Sequence, residues 1–379
     1  MSITYIPPRV PSVEGFLKED GTVPLTGVWN TGNYNIVGPS AIYTSSTAPS
    51  APYTNMLWND TSISTRIMIR RWSGSAWQVV YGYETASRTV SLVHDHGALL
   101  TTTTIRDLAW NTIGAFGALN VMVTIEIENK TLKSFINAVA VDAGSGKVKL
   151  PLASGHGFVA GEKVCIDGTT NYDGVFNIGY VEEGYIMIPA IYVAETILDT
   201  AIVRVVISAH GNTFGTNYNQ ITLKAKGFSS ERTQNRSVVL FSRGDYACII
   251  IKNWALKGLI QGIKFVSPGG SNAHGLYIQD SSKVDVEYCA FYNCLSTGIV
   301  CTTYSSVTAT MNSFHSFSFA AIASYFSATG LSRENKSFSD GRYGLVADWG
   351  GTIKKIGAQQ PTGTVANEYA VTSNAGQII

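Results

Sequence analysis

Paired carboxylates are the first candidates for chemistry, and Asp285 and Glu287 form such a pair within the 379-residue chain. Residues two apart on a strand share a face, with about 7 Å between α-carbons, within reach of the carboxylate separations that cleave glycosidic bonds. Val284 and Val286 alternate with them, so both acids point to solvent, and a solvated face is the plain reading. Asp280, Asp340 and Asp348 are the other acidic candidates of this stretch. No Ser or Cys sits in a nucleophile elbow. His94-Asp95-His96 is the one metal-like motif. His94 and His96 read as solvent-facing turn residues beside Gly97; where three chains met on an axis, six such imidazoles could surround one octahedral ion. His156 and Asp173 read as turn residues. Gly144-Ser145-Gly146-Lys147 fails as a phosphate loop, because Val141 and Val148 stand where Gly and Ser or Thr are required. No cofactor is implied.

The elements that hold these residues follow from a repeat. Gly275-Leu276-Tyr277, Gly298-Ile299-Val300, Ala321-Ile322-Ala323 and Gly344-Leu345-Val346 start at intervals of 23 (298 − 275, 321 − 298, 344 − 321). A second column, Phe265, Phe291, Phe314 and Phe338, advances by 26, 23 and 24. Units this short, rich in Val, Ile, Phe, Ser and Thr, fit one coil of a right-handed parallel β-helix better than a helical repeat. At least four coils are expected, and six if the stretch from Val238 to Lys264 adds two. The phenylalanines and the Gly-Leu/Ile column would be interior ladders. Tyr277, Tyr288, Tyr292, Tyr304, Tyr325, Tyr343 and Trp349 are expected outside, where aromatic rings stack on sugars or on a neighbouring chain.

Composition agrees with an all-β reading and excludes several functions. Glycine is high at 37 and tyrosine at 19, whereas only 14% of residues are charged, against about 25% in ordinary soluble proteins. With 27 basic and 26 acidic residues the net charge is +1, leaving no excess to neutralise nucleic-acid phosphates. The apolar runs fall far short of the roughly 18 residues of a membrane span. The start, Met1-Ser2-Ile3-Thr4-Tyr5-Ile6-Pro7-Pro8, lacks the pattern of a signal peptide, so assembly in cytosol is expected, with Cys165, Cys248, Cys289, Cys294 and Cys301 as reduced, mostly buried thiols.

Four regions emerge. Residues 1–84 hold seven of the 11 prolines and read as short extended pieces. Trp29, Trp58, Trp72 and Trp77 are large apolar groups for so short a segment, and neighbouring chains would cover them; the alternative is a self-contained β domain with tryptophans as its core. Residues 85–130 form a connector, with a short helix begun by the capping box Thr104-Ile105-Arg106-Asp107 and carried by Leu108, Ala109, Ile113 and Phe116. Residues 131–205 form a small β barrel or sandwich, with strands near Val164-Cys165-Ile166, Phe176-Asn177-Ile178, Ile186-Met187-Ile188 and Ile191-Tyr192-Val193. Residues 206–379 form the β-helix and its cap.

Three segments carry a resemblance. Phe16-Leu17-Lys18-Glu19-Asp20-Gly21-Thr22-Val23-Pro24-Leu25-Thr26-Gly27 resembles the "LxxDGTxxMTG" element of bacteriophage tail-fibre proteins. Leu57-Trp58-Asn59-Asp60-Thr61-Ser62 with Arg71-Trp72-Ser73-Gly74-Ser75-Ala76-Trp77 is similar to their "LWxDTS…GxxW" unit, with Asn55 in place of the family's glycine. His156-Gly157-Phe158-Val159-Ala160-Gly161 through Gly168-Thr169-Thr170-Asn171-Tyr172-Asp173-Gly174 resembles a module that recurs in phage tail proteins. The resemblance implies a structural protein of the virion: a homotrimeric tail fibre or tailspike. Residues 1–84 would attach to other tail, baseplate or neck proteins, and the β-helix to host surface glycan. A glycan depolymerase and an internal connector are the alternatives.

Overall fold

The computed structural model describes residues 28–30, 35–37, 42–62, 66–84, 88–94, 122–129, 131–209, 213–214, 220–227, 230, 236–242, 244–252, 258–338 and 341–379. Among them the structure is all-β, relieved by one 3-10 turn at Thr372–Asn374. Two compact units, Met1–Tyr83 and Glu84–Ile379, divide the chain.

In the first unit, Val28–Asn30 pairs antiparallel with Asn35–Val37. A four-stranded sheet follows, built from Tyr43–Ser45, Leu57–Asp60, Arg66–Trp72 and Trp77–Glu84. Trp58 is buried by its own chain. Its Nε1 donates to the Ser45 carbonyl at 2.9 Å, the Trp77 ring meets it edge-on at 5.3 Å, and Trp72 meets Trp77 at 5.4 Å. Arg70 lies over Trp58 and donates to Asp60 at 2.8 Å. Trp58 therefore needs no neighbouring chain, while Trp72 and Trp77 stay half-buried. Trp29 pairs with Ile36; its side chain lies outside the described residues, as does the first fibre-like motif.

The second unit is a parallel β-solenoid of six coils. Its first face stacks Ile207–Ala209, Val238–Ser242, Ile263–Val266, Ala290–Tyr292, Ser313–His315 and Lys336–Ser337. The second stacks Thr213–Phe214, Ile249–Lys252, Leu276–Gln279, Thr297–Cys301, Ala320–Ser324 and Gly341–Ala347, ending in Gly363–Ala370. The third runs through Gln220–Ala225, Gly258–Gln261, Lys283–Glu287, Ser306–Thr310, Thr329–Arg333 and Thr352–Ile356. Two more rungs, Arg88–His94 and Met122–Asn129, precede them on that face in parallel register. These residues were expected in a connector and belong to the solenoid; the expected helix near 104–117 lies outside the described residues.

Residues 131–205 are an insertion between the Met122–Asn129 rung and the first face. Asn129 clamps its two ends, donating to the Val205 carbonyl at 2.9 Å and accepting from Thr131. Two four-stranded antiparallel sheets enclose a separate core that includes Leu150, Ile166, Tyr172 and Val203. Ser145-Gly146 is a two-residue hairpin turn with positive φ at both positions. Ile191-Tyr192-Val193 is no strand: Ile191 is 84% exposed, and both backbone groups of Val193 bond the Tyr172 hydroxyl.

Inside the coils, Phe265, Phe291 and Phe314 stack with centroids 5.1 and 5.0 Å apart. The repeating glycines exist for these rings. A Cβ at Gly275 would stand 2.4 Å from Phe291, and one at Gly298 2.6 Å from Phe314. Each pair is 16 residues apart (291 − 275, 314 − 298). In the next coil Ala321 precedes Ser337 by the same 16, and where no ring stands a methyl group fits. Phe338 is thus not the fourth rung of this ladder: Phe314 pairs with Ser337, and Phe338 falls outside, stacked on His315 at 4.5 Å. A polar ladder runs beside the rings. Asn312 accepts from the Cys289 N–H at 2.8 Å, and Asn335 accepts from the Asn312 N–H at 2.9 Å. All five cysteines are free and buried, and burial pushes the Cys248, Cys289 and Cys301 thiols up to about 12.

Phe291→Ala removes the middle ring of the stack and should cost about 3–5 kcal/mol, read as a lowered thermal midpoint by circular dichroism. A midpoint unchanged from the parent would show that the ring stack does not hold the coils.

Candidate functional site

Four described coils turn from the second face to the third through one repeated corner. Asp280-Ser281, Thr303-Tyr304, Phe326-Ser327 and Trp349-Gly350 all have positive φ, a conformation costly for bulky L-residues. The surroundings impose it. The Ser281, Tyr304 and Ser327 N–H groups donate to the Thr303, Phe326 and Trp349 carbonyls at 3.0, 3.2 and 3.1 Å, tying each corner to the next coil. Three successive corners thereby present one aromatic ring each. Tyr304 is 73% exposed, Phe326 48% and Trp349 51%, and the last two rings lie 4.4 Å apart. Asp348 Oδ1 accepts from the Trp349 N–H at 2.7 Å and from Asn374 at 2.9 Å. Phe326 is the member that the sequence reading missed, although its place 23 residues from Thr303 and Trp349 marked it.

The other expected surface aromatics divide. Tyr277 is half-buried and stacks on His274 at 5.5 Å. Tyr288 is half-buried at a different corner, with φ of 51°. Tyr325 is half-buried against Ala320, Ala323 and Val346. Tyr343 is not on the surface: it is buried beneath Tyr369, 4.6 Å away, which the last strand of the second face carries. Tyr292 is not free either, because the inserted module covers it, and its hydroxyl reaches the Asp173 carbonyl at 3.5 Å.

Asp285 and Glu287 point outward, as the alternation requires. Asp285 stacks between Leu259 and Thr308, and Glu287 accepts from Gln261 at 2.8 Å. They lie half-buried on the third face, and neither of the two described cavities is lined by them. His94 pairs with Asn129 in the ladder; its side chain and His96 lie outside the described residues. Among the described residues no group of three or more His, Cys, Asp or Glu could hold a metal. Asp340 also lies outside them.

The module seats one sheet on the outer side of the first face. Cys165, Val206, Val239, Phe241 and Val266 form the apolar part of the contact. Within it Asp167 accepts from both Arg204 and Lys264, and all three are fully buried. Burial alone would raise the Asp167 pKa, but the two cations hold it below the ordinary carboxylate value. Lys264 also lies 4.2 Å over the Tyr292 ring. Beside this seam runs a groove of about 470 Å³ lined by Lys163, Asn177, Phe241 and Pro268. The alternation at Val164 and Ile166 predicts a strand, and Cys165 and Asp167 on its opposite face make the seam.

The chain matches the family of right-handed β-helix regions over residues 259–355, and the solenoid is right-handed. Among solved structures it is similar to the tailspike protein gp49 from Pseudomonas phage LKA1, at 14% identity over 73% of this chain and 52% of that one, with a TM-score of 0.21. It is also similar to the tailspike gp61 of Pseudomonas phage phi297, at 12% identity over 72% and 60%, with a TM-score of 0.16. The chain thus spans 52% and 60% of the length of these two proteins. No curated protein matches it.

Two half-buried histidines make stability depend on pH. Burial pushes His274 and His315 down to about 4, with Lys264 adding to the effect at His315 and Asp245 opposing it at His274. Folding therefore excludes a proton that an unfolded imidazole binds at about 6.5. Stability is full above that pH and should fall between about 6.5 and 4, by on the order of 2–3 kcal/mol per histidine. Asp167 adds loss only below its unfolded value of about 3.9. The thermal midpoint should drop across that window and flatten in His274→Gln/His315→Gln; equal slopes in parent and variant would refute the assignment.

Proposed function

We propose that this chain is a structural protein of a tailed bacteriophage: a short homotrimeric tail fibre or spike that attaches to the particle through residues 1–84 and adheres to the host surface through its β-helix. The observation that carries the reading is the union, in one chain, of a tryptophan-centred β sheet, an inserted module with the Thr169-Thr170-Asn171-Tyr172-Asp173-Gly174 signature, and a β-helix. The first two resemble units of phage appendages, and the third is an architecture suited to a rigid projecting shaft. Half-buried Trp72 and Trp77 leave apolar surface for a neighbouring chain. Other tail, baseplate or neck proteins are the partners on the particle, and surface glycan is the partner on the host. The work on this reading is adhesive rather than catalytic; Asp285 and Glu287 line neither of the two described cavities.

Light scattering should give three times the 40.7 kDa chain mass, and a monomer would refute the trimer. Antibodies against residues 275–357 should label intact particles; unlabelled particles would make the protein an internal connector. Incubation with host polysaccharide should release no new reducing ends. Release that disappears in Asp285→Ala/Glu287→Ala would make it a depolymerase.

A further inference from the structure

We propose that the corner column carrying Tyr304, Phe326 and Trp349 is a binding site for an uncharged saccharide chain lying along the solenoid axis. The inference rests on the adhesive reading for the source of that saccharide, and on the geometry for its chemistry.

Successive coils are about 4.8 Å apart, a distance comparable to the length of one pyranose unit. Phe326 and Trp349 share one register position and lie 4.4 Å apart. Tyr304 sits one residue on from that position in the coil before, bonded through its N–H to the Phe326 carbonyl, so three consecutive corners offer an aromatic patch with a saccharide-like period. The cross-coil hydrogen bonds at Tyr304 and Ser327 and the positive φ angles fix the corners before any ligand arrives, so little ordering cost remains on binding.

Charge narrows the class. Across the three corners, residues 302–306, 325–329 and 348–352, the one charged side chain is Asp348. Lys283 lies a coil earlier, paired in register with Ser306. An acidic sugar would find a carboxylate and no cation, whereas the hydroxyls of a neutral sugar could donate to Asp348 and exchange hydrogen bonds with Thr303 and Ser327.

Area argues against a second copy of the chain as the occupant. With aromatic side chains of about 150–250 Å² each, the exposed fractions of the three rings amount to roughly 350 Å². A stable protein interface takes about 800 Å² per partner. A patch of this size is typical of a functional site on a monomer surface.

The test uses the full chain and an array of surface-derived oligosaccharides, half uncharged and half bearing uronate or sialate. The variant is Tyr304→Asn/Phe326→Asn/Trp349→Asn, because Asn tolerates left-handed turns and the exposed rings carry no core packing. The expected result is binding to at least one uncharged glycan, weakened at least about tenfold in the variant, or about 1.4 kcal/mol, with an unchanged thermal midpoint. Binding confined to acidic glycans, no binding to any uncharged glycan, uncharged-glycan binding intact in the variant, or a variant with a smaller oligomeric mass would each overturn the inference. Adhesion to host cells by parent and variant is measured alongside. Cells bound equally by both would overturn the site and leave the adhesive reading standing; no adhesion by the parent would overturn the reading itself.

Discussion

Everything in the solenoid depends on one constraint: a strand there hydrogen-bonds only to the coil before it and the coil after it, in parallel and in register. The chain must return to the same place on every turn, so each residue's immediate neighbours are its counterparts one coil away. Like then sits on like. Phenylalanine rings stack at 5.1 and 5.0 Å, Asn335 takes the N–H of Asn312, and corners repeat the same positive φ. The corners show how strong the constraint is. Tyr304, Phe326 and Trp349 occupy a backbone region that costs on the order of 1–3 kcal/mol per residue, and the inter-coil hydrogen bonds hold them there.

The inserted module adds a second kind of contact. A solenoid face turned outward is normally wet, yet the first face carries Val239, Phe241, Val266 and Tyr292 on that side. The module's sheet covers them, and its Asp167 is what accommodates Lys264 where no water reaches. Replacing Asp167 leaves two buried cations with no counter-charge, where breaking even one buried pair costs about 3–5 kcal/mol. The seam is therefore specific in a way that apolar packing alone is not: only a module presenting an acid at position 167 fits the face that presents Lys264.

The middle of the fold was legible because its signal is local and periodic. A spacing of 23 put Val284 above Val307 and Asp285 above Thr308, and the observed register pairs the same residues. What stayed hidden depends on chain returning from far away. Tyr292 looks exposed until a module 119 residues earlier lies over it, and Tyr343 until the strand Gly363–Ala370 closes the second face. Lys264 is 97 residues from Asp167, and Arg204 is 37, so no spacing rule joins them. Phe338 went astray for a smaller reason. The last interval in its column is 24 rather than 23, and one extra residue moves a side chain to the other face of a strand.

The same stacking accounts for a surface so poor in charge. Side chains on adjacent rungs sit about 4.8 Å apart, where like charges at an effective dielectric near 20 repel by about 3.5 kcal/mol. Each charged residue thus constrains the rung above and the rung below to be neutral or opposite. The third face obeys this throughout its described register. One column runs Glu126, Lys224, Gln261, Glu287, Thr310, Arg333, with Lys224 paired to Glu126 at 3.6 Å and Gln261 bonded to Glu287 at 2.8 Å. The next runs Leu259, Asp285, Thr308, Leu331, Lys354. Threonine, glutamine and leucine separate the charges that have no opposite partner. Hydroxyl and amide groups keep such a face wet without that penalty, so a chain made largely of stacked rungs stays near 14% charged residues even before any surface is covered by another chain.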